Sequence, residues 1–240
     1  MRRGRFPHQA GRTRGVARPH PRPAQTPRSI MIWRLIQHGP GNPAFNMAVD
    51  EALLRLVTQP VLRLYGWDRP AVSFGYFQQY PVALADRYTL VRRPTGGGIV
   101  YHDADTTYTV VVPAGHPLHR LKTQEAYCVI HQAVAVALQS QISNLKSSTP
   151  RGQYECFQNP VAGDVVAGNR KLAGGAQRRG KAGLLHQGSI AGRIPADRLV
   201  RGFRQVLTVE FETAELTPAE RALAEKLAAE KYGTAAWNQR

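Results

Sequence analysis

The chain has 240 residues, of which 42% are hydrophobic and 20% are charged, a composition typical of a globular protein with one large domain or two small ones. No segment approaches the roughly 18 to 20 consecutive apolar residues of a membrane helix, and no apolar segment follows the basic N-terminus as in a secretory signal. We therefore expect a cytoplasmic protein, and its two cysteines are too few for a disulfide framework.

The formal net charge is +16, and half of this excess lies in residues 1–30, which carry eight arginines and no acidic residue. The same segment holds five prolines, which oppose the amphipathic helix of a transit peptide. Because it also contains few apolar residues, we expect it to be a disordered extension. The first structured pattern begins at Met31, and we expect translation to start there. A basic arm that docks on RNA or on an acidic partner is the less favoured hypothesis.

After Met31, short β-rich runs alternate with a few amphipathic helices, and this pattern predicts an α+β fold. Asn42 and Pro43 supply an N-cap and a first-turn residue for a helix that runs to about Val57. The predicted strands of this half are residues 32–37, 61–65, 71–74, 90–93, 99–101 and 106–112.

In the second half, the apolar residues from Gln124 to Leu138 form one stripe and predict an amphipathic helix packed on a sheet. Residues 165–190 contain strand runs joined at Gly168-Asn169, a dipeptide suited to a tight hairpin turn. Thr217 and Glu220 stand in capping-box register at the start of a last helix.

The glycine run Gly96, Gly97 and Gly98 follows a predicted strand that ends at Arg93. Without Cβ atoms, such a loop can cradle a phosphate or let an acyl chain lie against the main chain. Arg93 is placed to pair with an anionic group. The alternative is a flexible surface loop. The run is neither a P-loop, since no Gly-Lys-Ser/Thr follows, nor a dinucleotide fingerprint, since the GxGxxG spacing is absent.

A second segment of interest contains Lys171, lies between Gly168 and Gly174, and is followed by His186. A short segment bounded by glycines can bring an ammonium group close to a substrate carbonyl or phosphate. Taken alone, however, a lysine in a strand is more often a solvated surface charge, and a single histidine is more often structural than catalytic. These two residues alone leave the function open.

In their order along the chain, these segments resemble the family of lipoate-protein ligases and octanoyltransferases, which has biotin ligases as distant relatives. The resemblance covers nearly all of residues 31–240 and implies a catalytic domain of the biotin/lipoate ligase type, with mixed β-sheets flanked by helices. It rests on residues 33–36, 46–53, the glycine loop with His102 and Asp103, residues 171–178, 230–233 and 237–238.

The resemblance also implies where the site lies. Lys171 matches the essential lysine of the family, and the glycine loop and the lysine segment are expected to form two walls of an acyl-binding tunnel. Biotin ligases carry a different loop, rich in Arg and Gly, which argues against biotin as the cargo. No metal site is expected. The residues expected to contact the acyl group or substrate are Arg93, Thr95, Gly96, Gly97, Gly98, His102, Gly174, Ala176 and His186.

The family divides by chemistry, because ligases activate lipoate with ATP whereas transferases take octanoate as a thioester on acyl carrier protein. Cys156, followed by Phe157, resembles the Cys-Phe element of transferases that form an acyl-enzyme on their own thiol. Exchange between a thiolate and a thioester is nearly isoenergetic, so the transfer divides into two steps without ATP. Lys171 would lower the pKa of the Cys156 thiol and stabilise the oxyanion, and Lys171 or His186 would assist as base. Cys128 is expected to be a packing residue.

The sequence therefore predicts an octanoyl or lipoyl transferase that needs no cofactor and works through Cys156 and Lys171. Its predicted partners are octanoyl acyl carrier protein and a lipoyl-domain protein that accepts the acyl group on a lysine. Gly98 resembles the ligases instead, since transferases often carry an arginine there, so a lipoate-protein ligase using ATP and Mg²⁺ is the alternative. A non-catalytic nucleic-acid-binding protein with the same fold is a third hypothesis, and it rests on the Arg-rich N-terminus.

Overall fold

The computed structural model describes residues 1, 30–139, 145–147, 163–168 and 170–240. The strands of this part are β1 (Met31–Gly41), β2 (Val61–Trp67), β3 (Ala71–Phe74), β4 (Thr89–Arg92), β5 (Val100–Tyr101), β6 (Thr106–Pro113), β7 (Leu145–Ser147), β8 (Val165–Ala167), β9 (Arg170–Arg179), β10 (Gly183–Ile190) and β11 (Val209–Thr213). The helices are α1 (Pro43–Leu56), α2 (Pro117–Arg120), α3 (Thr123–Leu138), α4 (Ala196–Leu207), α5 (Pro218–Leu227) and α6 (Ala235–Asn238), with a 3-10 turn at Val82–Leu84 and a π-helical turn at Ala228–Tyr232.

The strands form two sheets. The larger has the order β11-β1-β2-β6-β10-β9-β8-β7, and the smaller has the order β4-β3-β5. In the larger sheet β1 is parallel to both β11 and β2, whereas every pair from β2 and β6 onward is antiparallel. The predicted α+β architecture, with mixed sheets flanked by helices, is therefore confirmed.

Each face of the larger sheet has its own hydrophobic core. Helices α3 and α4 cover one face, where Leu184 packs with Ile130 and Phe203. Helices α1 and α5 cover the other, where Leu185 packs with Leu53. Because successive strand residues point to opposite faces, β10 is buried along its whole length. Burial of one such leucine stabilises the fold by about 1.5 to 3 kcal/mol.

Short-range signals fix several boundaries where the sequence predicts them. The Asn42 side chain accepts hydrogen bonds from the amides of Ala44 and Phe45 at the start of α1. Thr217 and Glu220 form the predicted capping box of α5. Gly168, in the turn between β8 and β9, has a φ of +58°, a left-handed conformation that glycine adopts without strain.

Other features depart from the sequence-based predictions. Helix α4 and strand β11 were not predicted, because α4 is rich in arginine and buries few side chains, among them Leu199 and Phe203, and β11 forms only by pairing with β1. Cys128 does not pack in the core as expected. It is exposed, since it lies on the outer side of α3.

Two predictions fall on parts of the chain outside the described residues: the disordered extension, at residues 2–29, and the nucleophile Cys156. Within the described ranges, no helix combines the length and apolar character needed to cross a bilayer.

Candidate acyl-binding site

A pocket with an empty volume of about 480 Å³, including its part open to solvent, lies between the two sheets. Its floor is a row of residues across the larger sheet, in which Gly174 of β9 pairs with Ser189 of β10, Ser189 with Thr107 of β6, and Thr107 with Tyr65 of β2. Three strand spacings of about 4.8 Å make this row roughly 14 Å long. The other walls come from α1, the end of β2 and the smaller sheet with its loops, and include Met47, Trp67, Ser73, Gly97, Val100 and His102.

Arg93 organises the glycine loop. Its guanidinium donates to the carbonyl and the hydroxyl of Ser73 at 2.8 and 2.9 Å and to the carbonyls of Gly96 and Gly98 at 3.0 and 2.8 Å. All four acceptors are uncharged, so the geometry shows a loop-holding role, whereas pairing of Arg93 with an anion stays a prediction. With the carbonyls held in this way and a φ of +88° at Gly97, bare backbone lines the pocket.

A buried network connects this loop to α1. The Thr95 hydroxyl donates to Oε1 of Gln187 at 2.7 Å, and Nε2 of Gln187 donates to Oδ2 of Asp50 at 2.7 Å. Asp50 also forms an ion pair of 2.6 Å with Arg63, in which both side chains are almost fully buried. Removing one partner of such a pair costs about 3 to 5 kcal/mol, so the network is a rigid support for the loop.

His102 forms part of the pocket wall and stacks on Trp67, with ring centroids 3.9 Å apart. Its Nε2 lies 2.7 Å from the Ser73 hydroxyl, and its Nδ1 lies 2.9 Å from Oδ2 of Asp105. Burial lowers the pKa of His102 despite this carboxylate. The same Asp105 oxygen accepts the hydroxyls of Thr107 and Ser189. The polar groups of this wall therefore satisfy one another's hydrogen bonds.

Lys171 lies at the β9 end of the pocket, with its Nζ 2.7 Å from Oδ2 of Asp164. Only 5% of Lys171 is exposed, so this is a buried ammonium group. A Cβ at position 174 would lie 2.6 Å from that Nζ, and Gly174 therefore makes room for it. Lys171 also lines an open groove next to the pocket. A cation at the boundary between an enclosed pocket and an open groove can stabilise a developing oxyanion.

His186 is not among the residues that line this pocket, and its expected contact with the substrate stays a prediction. On β10 the neighbouring Gln187 and Ser189 line the pocket, so strand alternation directs the fully buried His186 toward α3. There it lies 3.2 Å from the Tyr108 hydroxyl and 3.2 Å from the Gln177 amide nitrogen. Burial lowers its pKa well below the ordinary value, which favours a neutral, structural ring.

The structure thus brings together most of the site predicted from sequence. Of the expected contacts, Arg93, Gly97, His102, Gly174 and Ala176 line the pocket, as does Lys171, the predicted catalytic lysine. Thr95 is not in the lining, and its hydroxyl donates to Gln187. The carbonyls of Gly96 and Gly98 accept from Arg93. The sequence-based prediction missed Trp67, Asp164 and Gln187. Trp67 had a usable signal, since it directly follows a predicted strand, whereas nothing in the sequence connects Asp164 with Lys171.

Comparison with known proteins identifies relatives along most of the chain. A sequence profile described as the lipoyl protein ligase A/B catalytic domain matches residues 42–219. Octanoyltransferase LipM of Kyrpidia tusciae is 34% identical in an alignment that covers 88% of this chain and all of that protein. Octanoyltransferase LipM of Bacillus subtilis is 37% identical, with 70% of this chain and 68% of that protein covered.

Solved structures show the same fold. The putative lipoate protein ligase Ta0514 of T. acidophilum with bound lipoic acid superposes with a TM-score of 0.75 at 25% identity, and covers 87% of this chain and 99% of its own. A lipoate-protein ligase A bound with ATP gives a TM-score of 0.72 at 26% identity, with the same coverage.

Proposed function

This chain belongs to the family of the lipoyl protein ligase A/B catalytic domain, and from that premise we propose that it transfers an octanoyl group to a lysine of a lipoyl-domain protein. The full-length similarity to proteins named octanoyltransferase supports octanoate as the cargo. Similarity to lipoate-protein ligases in sequence and fold supports a lipoyl domain as the acceptor.

The observation that carries the proposal is the buried ammonium of Lys171 at one end of a pocket that is long enough for an octanoyl chain. An eight-carbon acyl chain with C–C bonds of about 1.5 Å is roughly 9 to 10 Å long when extended, and the row from Gly174 to Tyr65 is longer than that. With its carbonyl beside Lys171, the chain would extend over Ser189 and Thr107 toward Tyr65 and Trp67. The ammonium then stabilises the negative charge that develops on the carbonyl oxygen.

The nucleophile in this proposal is the thiolate of Cys156, and the donor is octanoyl acyl carrier protein. The thiolate attacks the thioester carbonyl, a new C–S bond forms, and the carrier leaves as its thiolate. The acceptor lysine, as a neutral amine, then attacks the acyl-enzyme, an amide bond forms, and the Cys156 thiolate is released. The amine gives up one proton, which passes to a base or to solvent. Neither step consumes ATP.

A lipoate-protein ligase that uses ATP and Mg²⁺ is the second candidate. The unbroken run Gly96 to Gly98 favours it, because bare backbone can approach phosphates. The relative that binds ATP shares the fold over most of the chain. In this mechanism the carboxylate would be activated as an acyl-adenylate, and Cys156 would be dispensable.

One reconstituted assay distinguishes the two candidate functions. The purified chain is incubated with octanoyl acyl carrier protein and an unmodified lipoyl domain, with and without ATP and Mg²⁺, and the acceptor is weighed by mass spectrometry. We expect the octanoyl mass to appear on the lipoyl domain without ATP, and not on a lipoyl domain whose target lysine is replaced by arginine. Modification that requires ATP and free lipoate, with no transfer from the carrier, would reject the transferase.

A further inference from the structure

Two side chains of α3 hold the segment that contains Asp164, the carboxylate partner of Lys171. Tyr127 contacts Asp164 itself, and His131 contacts the preceding residue, Gly163. We propose that Tyr127 is a positioning residue for Lys171: through Asp164 it fixes where the ammonium lies at the pocket mouth. This inference rests on the proposed function, in which Lys171 acts on the acyl carbonyl. His131 supports the same arrangement one helical turn further along α3.

The Tyr127 hydroxyl occupies a gap in the larger sheet. Strand β8 begins at Val165, which pairs with Ala173 of β9, so among the residues that the structure describes no strand pairs with β9 on that side from Gly174 onward. The amide of Gly175 donates to the Tyr127 hydroxyl at 3.0 Å. A buried backbone N–H needs an acceptor, and here a side chain from a helix supplies the one that a neighbouring strand would have given.

The same hydroxyl donates a hydrogen bond to Oδ1 of Asp164, while Oδ2 of Asp164 accepts from Lys171 at 2.7 Å. Tyr127, Asp164 and Lys171 are only 8%, 1% and 5% exposed. Burial, with a further contribution from Asp164, raises the pKa of Tyr127, so the hydroxyl keeps its proton and remains a donor. One oxygen of the carboxylate is therefore fixed by the helix and the other by the lysine.

His131 contacts Gly163, the residue before Asp164. Its Nδ1 lies 2.9 Å from the carbonyl oxygen of Gly163, and burial lowers its pKa to about 4, so the neutral ring donates from Nδ1 near neutral pH. Gly163 has a φ of +95°, and a Cβ there would lie 2.9 Å from the Tyr127 ring. Positions 127 and 131 share one helix face, and together they fix Gly163 and Asp164 against α3.

The first test is Tyr127→Phe, which keeps the ring and removes the hydroxyl. Asp164 then loses one donor and can rotate, and Gly175 loses its acceptor. Because misplacement of a catalytic group by about 1 Å can cost about 100-fold in rate, we expect kcat for octanoyl transfer to fall about 10- to 100-fold. The KM for the octanoyl donor should stay within about two-fold, because Tyr127 does not itself line the pocket.

A matched control is Tyr108→Phe. Tyr108 is also buried, but its hydroxyl contacts His186 at 3.2 Å. We expect it to lose stability, as Tyr127→Phe does, without the loss of kcat. Equal kcat values for the two variants, or a loss in Tyr127→Phe that appears only in KM, would overturn the positioning role. If wild type transfers no octanoyl group at all, the proposed function fails instead.

A second pair of variants keeps the test valid if Tyr127→Phe does not fold. Asparagine at position 131 can place an amide N–H near the carbonyl of Gly163, whereas leucine cannot. We therefore expect His131→Asn to retain kcat within about three-fold and His131→Leu to lose about ten-fold or more, again at constant KM. Equal activity of the two variants would contradict the arrangement.

Discussion

Replacement of Lys171 by methionine should reduce the rate of octanoyl transfer about 100- to 1,000-fold, the loss seen when one group that stabilises an oxyanion is removed. Methionine preserves the unbranched stem that lies against Gly174 but carries no charge. The variant would remove the Lys171 ammonium from the buried carboxylate of Asp164, at a cost of about 3 to 5 kcal/mol in unfolding free energy. Both quantities can be measured, by steady-state transfer assays and by denaturant unfolding.

A double variant separates lost catalysis from lost stability. Lys171→Met combined with Asp164→Asn removes both charges, so it should recover much of the unfolding free energy and none of the activity. Lys181→Met, at an exposed turn position, controls for the loss of a positive charge and should transfer octanoate at the wild-type rate. Activity that returns in the double variant would show that Lys171 stabilises the fold and takes no part in the chemistry.

Replacement of Trp67 by alanine should change which acyl chain the enzyme prefers. Trp67 lines the β2 end of the pocket, where its ring stacks on His102 and its indole N–H donates to the Thr107 hydroxyl at 2.8 Å. Removing the ring lengthens the space beyond Thr107. Since a methylene that does not fit costs about 1 to 3 kcal/mol, we expect kcat/KM for dodecanoyl relative to octanoyl carrier protein to rise about 10- to 100-fold.

Trp67→Phe is the matched control, because it keeps an aromatic wall against His102 and loses only the indole N–H and part of the ring. It should retain the octanoyl preference. Competition between octanoyl and dodecanoyl donors in one reaction, with mass analysis of the lipoyl domain, gives the ratio directly. An unchanged ratio in Trp67→Ala would mean that the acyl chain does not extend toward β2.

Local sequence signals predicted those parts of the fold that depend on a few adjacent residues. Asn42 and Pro43 begin α1 because one side chain caps the first turn and the other lacks an amide proton. The hairpin at Gly168 and the capping box at Thr217 follow from similarly short patterns. The family resemblance, in turn, placed Lys171 and the glycine loop in one pocket, where the structure also has them.

Contacts between distant segments could not be predicted in this way. Asp164 and Tyr127 are 37 positions apart in the sequence, and no periodicity indicates that an α3 side chain completes the edge of β9. The placement of His186 shows a second reason why the sequence could not predict the whole site. Strand alternation requires His186 and Gln187 to face opposite sides, but which side holds the pocket depends on where the smaller sheet packs.

The most direct test of the mechanism is to measure the mass of the enzyme itself. The chain is incubated with octanoyl acyl carrier protein in the absence of any acceptor, and intact-protein and peptide mass spectrometry then locate the acyl group. We expect one octanoyl group, labile to hydroxylamine, on the peptide that contains Cys156. It should persist in Cys128→Ser and vanish in Cys156→Ser. An unmodified Cys156 peptide, in a preparation that transfers octanoate to the lipoyl domain under the same conditions, would contradict the acyl-enzyme.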